Sequence, residues 1–172
     1  MKSKIYTYTF LFYTIITIVF FVAFLSWGNV ASLIEYIKND LFSYYNLLIF
    51  LTFMIVHELI HYTVFRFFGV SKENVSIGFS IKKFMPYVKC KTTVHRSIYA
   101  TSALAPFLIL GLFPLLLSVI ESSIPLFVFS IIMAKGAAGD LAIVYMVYNQ
   151  SSKKSLLKDS DTLGFEVVDN NG

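Results

Sequence analysis

Two histidines four residues apart enclose a glutamate in the run His57-Glu58-Leu59-Ile60-His61. On a helix that spacing stacks both imidazoles on one face about a turn apart, so both can reach a single metal ion. Glu58, next to the first of them, stands close enough to take a proton from a water on that ion without being a ligand itself. This is the arrangement of a zinc hydrolase. The stretch that carries it, Tyr44 to Phe68, is otherwise apolar enough to cross a membrane. An ionisable side chain at the centre of such a helix costs about 2.5 to 3.5 kcal/mol on insertion scales. Three of them within five positions call for a compensating role, which a satisfied core histidine would not supply.

The elements that position these groups are membrane helices. Of 172 residues, 57% are hydrophobic and only 14% charged, the composition of an integral membrane protein. A span needs about 20 apolar residues, and four segments qualify: Tyr6 to Trp27, Tyr44 to Phe68, Ser97 to Ile120 and Ile124 to Tyr148. The first follows Met1-Lys2-Ser3-Lys4 but is longer than a signal-peptide core and has no Ala-x-Ala-like cleavage site after it, so it reads as a retained helix. The expected fold class is therefore all-α integral membrane, one domain over residues 1–172, with four transmembrane helices and a polar tail from Asn149. Pro106 and Pro114 are expected to kink the third span.

Short-loop lysines and arginines bias segments toward the cytoplasm. Lys72, Lys82, Lys83, Lys89, Lys91 and Arg96 lie between the second and third spans, and Lys153, Lys154 and Lys158 follow the fourth. The links Gly28 to Ser43 and Glu121 to Ser123 are nearly free of basic residues. Both termini are thus expected in the cytoplasm. The net charge of +4 is a topology signal, and no nucleic-acid-binding motif accompanies it. Cys90 is the single cysteine, which excludes an intramolecular disulfide.

Between the second and third spans, Val75, Ile77, Phe79 and Ile81 alternate with polar or small residues, the period of a half-buried strand. Tyr87 to Thr93 is its expected partner in a short cytoplasmic β-hairpin. The tail, basic and then acidic through Asp159, Asp161, Glu166 and Asp169, reads as solvated, with a short strand at Gly164 to Val168.

Catalytic zinc usually takes three protein ligands, and depth in the membrane selects among candidates for the third. His57 and His61 lie eleven and seven residues before Phe68, roughly 16 and 10 Å from that end of the helix. Asp140, eight residues before Tyr148, lies roughly 12 Å from the same side. Glu121 sits at the opposite end of its span and Glu73 beyond the second span, while His95 remains a weaker candidate. Val64 stands where a metzincin has glycine, so that extension is absent. Gly136-Ala137-Ala138-Gly139 offers a small-residue surface for close helix approach and local unwinding. The competing reading is a packing motif whose aspartate lines a wet crevice. Lys135 receives no catalytic role.

Together, the His57 to His61 motif in the second span, Leu104-Ala105-Pro106, and Gly136-Ala137-Ala138-Gly139-Asp140 in the last span resemble the DUF3267 group of zincin peptidases, small bacterial membrane proteins. More distantly the pattern is similar to that of site-two proteases, although those carry an Asn-Pro-Asp-Gly-like element where this chain has Gly139-Asp140-Leu141. The resemblance implies a zinc peptidase of the bacterial plasma membrane with His57, His61 and Asp140 as metal ligands and Glu58 as general base. Its partners would be the lipid bilayer and a membrane-associated or membrane-spanning peptide. Two other classes stay open: a metal-binding membrane transporter or sensor, and a non-catalytic immunity or partner-binding relative.

Overall fold

A computed structural model describes residues 2–81, 85–160 and 164–168; Lys82, Lys83, Asp161 and Asp169 of the charge argument lie outside them. The chain is mostly helical. Helix α1 (Lys2–Leu25) leads through α2 (Val30–Asn39) to α3 (Tyr44–Phe67), which carries the histidines. A hairpin follows, β1 (Val75–Ser80) and β2 (Met85–Cys90), then β3 (Val94–His95) and α4 (Arg96–Pro106), which runs on through a wide π-turn, Phe107–Leu112, into α5 (Phe113–Ile120). The last helices are α6 (Ile124–Gly136) and α7 (Ala138–Gln150), and the tail forms β4 (Leu156–Asp159) and β5 (Phe165–Val168).

Among the described residues, three helices are long and apolar enough to cross a membrane, namely Ser3–Leu25, Tyr44–Phe67 and Arg96–Ile120. A fourth crossing is available if α6 and α7, bent by 45° at Ala137, act as one broken span. The π-turn begins directly after Pro106, whose ring removes an amide donor and crowds the preceding turn. Gly111 within it passes so close to α6 that an added Cβ would lie 2.9 Å from the Ala134 Cβ. Gly136 and Gly139, expected to serve close approach, meet nothing within 4 Å of an added Cβ. The unwinding expected there is present, as the bend.

Three expectations require correction. The link Gly28 to Ser43 contains α2, started by the Asn29 side chain, which accepts from the Ala31 and Ser32 amides at 2.9 and 3.3 Å. The hairpin partner is Met85–Cys90 rather than Tyr87 to Thr93, with Val75 opposite Cys90 and Ser80 opposite Met85. The tail is not a solvated extension of an all-α protein. Its β4 and β5 pair antiparallel, and β4 joins β3 in a second small sheet of order β3-β4-β5. Leu157 and Phe165 are buried there with Cys90, Tyr99, Met146 and Val147.

Candidate metal centre

Where α3 stops determines where its histidines sit. Its C-terminus is closed by Gly69 in the left-handed region (φ 84°), with the Gly69 and Val70 amides donating to the Arg66 and Phe65 carbonyls at 3.0 and 3.1 Å. An Arg66 guanidinium nitrogen donates back to the Val70 carbonyl at 2.5 Å. With that end fixed beside the sheets, His57 and His61 face inward from the third and second turns before it.

They meet Asp140. His57 Nε2 lies 3.1 Å and His61 Nε2 3.7 Å from Asp140 Oδ2, and the two Nε2 atoms are 3.3 Å apart. Three ligands about 2.1 Å from a tetrahedral zinc ion are separated by about 3.4 Å, so these atoms already form one face of such a tetrahedron. The donor set, two imidazoles and one carboxylate, is a zinc set that leaves a fourth position open. The residues present therefore fit the ion. The bend between α6 and α7 brings Asp140 there, on the first turn of α7.

His61 is held by a reciprocal clasp that sequence reasoning missed. Its Nδ1–H donates to the Ser102 carbonyl at 2.8 Å, and the Ser102 hydroxyl donates to the His61 carbonyl at 3.2 Å. The first bond fixes the tautomer that leaves Nε2 free to face Asp140. Nothing local around Ser102 signals this, because the contact exists only when α4 packs on α3.

Glu58 stands beside the triad; one ligand atom each from His57, Glu58 and His61 lie within 4.8 Å of one another. Its carboxylate interacts with the Val88 backbone of β2. It lines two spaces. One is a cavity of about 140 Å³ with His61, Asp140, Tyr99, Ser102 and Asp159 among its walls. The other is an apolar groove of about 360 Å³ between α3 and α6, bounded by Leu51, Met54, Met85 and Met133 and reaching His57.

A family model described as "Putative zincin peptidase", DUF3267, matches residues 49–155, which include every residue of the triad as well as Glu58. The chain belongs to the DUF3267 family. No curated protein and no solved structure matches it.

The remaining candidates fall outside this DUF3267 centre. His95 caps α4, takes the Ser97 amide at Nδ1 and donates from Nε2 to the Lys153 carbonyl at 2.8 Å. Glu73 and Glu121 line neither space around Glu58. Lys135 lies on the other side of the bend from Asp140, with its ammonium 4.3 Å from the centre of the Tyr13 ring, a cation–π contact that accounts for a charge at this depth.

Proposed function

We propose that this DUF3267 protein is a membrane-embedded zinc metalloendopeptidase in which His57, His61 and Asp140 hold the ion and Glu58 is the general base. The observation that carries the reading is the convergence of three ligand atoms to within 3.1–3.7 Å of one another, contributed by two apolar helices 83 residues apart in sequence. Zinc, when bound, supplies Lewis acidity that lowers the pKa of a coordinated water to about 7 and polarises a carbonyl.

The chain's own residues do the rest. Glu58 takes the proton of the attacking water on its carboxylate and returns it to the leaving amine as the carbon–nitrogen bond breaks. Its place at the junction of the polar cavity and the apolar groove suits that task, since water reaches it from one side and an apolar peptide from the other. Ser102 keeps His61 in the ligating tautomer. The groove excludes water from the far side of the peptide. The peptide must be unwound to expose a carbonyl, and β2, which reaches both Glu58 and the groove through Val88 and Met85, offers an edge for an extended strand. The lysine distribution supports an orientation with both termini in the cytoplasm and the site near the cytoplasmic side of the bilayer.

One further reading has an observation in its favour. Glu58 is near enough to both histidines to be a ligand itself, as in a carrier or sensor that binds an ion in transit. Elemental analysis of the detergent-purified protein separates the two. The peptidase reading expects about one zinc per chain, lost in His57→Ala and Asp140→Ala and kept in Glu58→Gln. Loss of zinc in Glu58→Gln favours the carrier. A wild-type protein that takes up no zinc on reconstitution ends the metal reading.

A further inference from the structure

The cavity beside Glu58 contains a carboxylate that the proposed chemistry does not use. Asp159 comes from β4, in the tail, and both of its oxygens are engaged. Oδ1 accepts from the Tyr99 hydroxyl of α4, and Oδ2 accepts from the Cys90 amide at the end of β2 at 2.6 Å. One side chain thus joins the tail, the hairpin and α4. The tail is tied to α4 by three further bonds: the Arg96 amide to the Ser155 carbonyl at 3.2 Å, an Arg96 guanidinium nitrogen to the Ser151 carbonyl at 2.9 Å, and His95 to the Lys153 carbonyl. Among these contacts only that of Asp159 lines the cavity, together with Tyr99, Glu58, His61 and Asp140.

A half-buried carboxylate in the wall of a cavity that already holds Glu58 and Asp140 is costly unless its position is needed. Burial pushes the Asp159 carboxyl above its ordinary range, against the Tyr99 and Cys90 hydrogen bonds that favour its charge. Tyr99 packs by its ring against Phe65 and Phe165, at 6.2 and 6.0 Å between centroids. Those contacts set the plane of the ring, and the Asp159 contact sets the direction of the hydroxyl.

We propose that Asp159 is a positioning residue of this site: by holding the Tyr99 hydroxyl and the Cys90 amide together, it fastens the C-terminal strand as a wall of the cavity and aims Tyr99 at the space where Glu58 and His61 act. The tail is then part of the reacting unit. The proposal rests on the metal-centre reading for its chemistry, and its structural half stands independently of it. Because its proton is given to Asp159, the Tyr99 hydroxyl presents its oxygen to that space as an acceptor, for a substrate N–H or a water.

The test uses the full chain in detergent and two substitutions. In Asp159→Ala neither the Cys90 amide nor the Tyr99 hydroxyl keeps its partner, so the strand loosens. In Tyr99→Phe the ring packing stays while the hydroxyl is lost. The first readout is alkylation of Cys90 by iodoacetamide at pH 8, because Cys90 is 0% exposed. Asp159→Ala is expected to raise the rate at least tenfold and Tyr99→Phe to leave it within about twofold. The second readout is acetohydroxamate binding to the cobalt-substituted protein, followed in the visible spectrum. Both variants are expected to keep about one cobalt per chain and to bind the probe about tenfold more weakly. Unchanged alkylation in Asp159→Ala overturns the proposal, and faster alkylation with unchanged probe binding overturns the positioning of Tyr99. If wild type takes up no cobalt, the peptidase reading fails, and alkylation alone decides whether Asp159 fastens the strand.

Discussion

The two ends of the helical bundle are packed on different plans. At the sheet end, α1, α3, α4, α7 and the strands share one buried cluster that includes Phe65 of α3, Tyr99, Met146 and Leu157. At the other end the cluster is drawn from α1, α2, α5, α6 and the start of α7, with Phe20, Phe24, Leu115 and Phe127, and α3 contributes nothing to it. There α3 meets α6 through the Phe129 ring, which contacts Phe53 at 4.8 Å and lies parallel to Phe50 at 6.3 Å. A groove of about 430 Å³ opens beside that ring and shares Phe50 with the groove that reaches His57. The helix that carries the histidines therefore enters a buried cluster at its sheet end only. Dense packing at the sheet end and open space at the other are thus built into opposite halves of one helix.

This contrast can be broken most forcefully at Phe65. Phe65→Ala removes a buried ring from the sheet end and is expected to cost about 3 kcal/mol, whereas Leu51→Ala, on the open half, should cost under about 0.5 kcal/mol. Reversible unfolding of the two variants in the same detergent measures both. Equal losses would mean that α3 is held along its whole length.

A pH titration sharpens the same contrast, because it reports on the sheet end alone. Burial, and then the charge of Asp159, pushes the Cys90 thiol up to about 11. Between its ordinary value near 9 and that value the unfolded chain is ionised and the folded chain is not. Folding stability should therefore fall as pH rises from 9 toward 11, and Cys90→Ala should remove that part of the slope. A slope that is the same in both proteins would show that the thiol is not sequestered.

The smallest effect is expected at Lys135. Lys135→Met gives up the contact with Tyr13 and also removes a charge from the apolar region, so stability should change by under about 1 kcal/mol. Zinc content should be unaffected. A loss of metal would place Lys135 in the centre after all.

Much of this was legible in the sequence for identifiable reasons. Long apolar runs specify spanning helices without reference to anything distant, and the helical rise of 1.5 Å per residue turns sequence offset into depth, which is how Asp140 could be matched to His57 and His61. Helix α2 was missed although Asn29 is a capping residue, because its apolar positions were read as part of a link. In the tail the strand expected at Gly164 to Val168 is present as β5, whereas its acids do not behave as simple solvated charge. Asp159 instead points inward to Tyr99 and Cys90, and Glu166 pairs with Lys158 across the strands at 3.3 Å. Ser102 was invisible for a different reason: its carbonyl serves His61 through tertiary packing alone, and any residue type presents a carbonyl.

The 83 residues that separate His57 from Asp140 also set a schedule for biosynthesis. At roughly 5–20 residues per second of translation, about 4–17 s pass between the appearance of the first histidine and that of the aspartate. During that interval the nascent chain carries an imidazole pair with no carboxylate from α7 beside it, and Asp159 follows later still. Assembly of the cluster thus waits for α7, and a ribosome that stalls before the last helix leaves a fragment that cannot complete it.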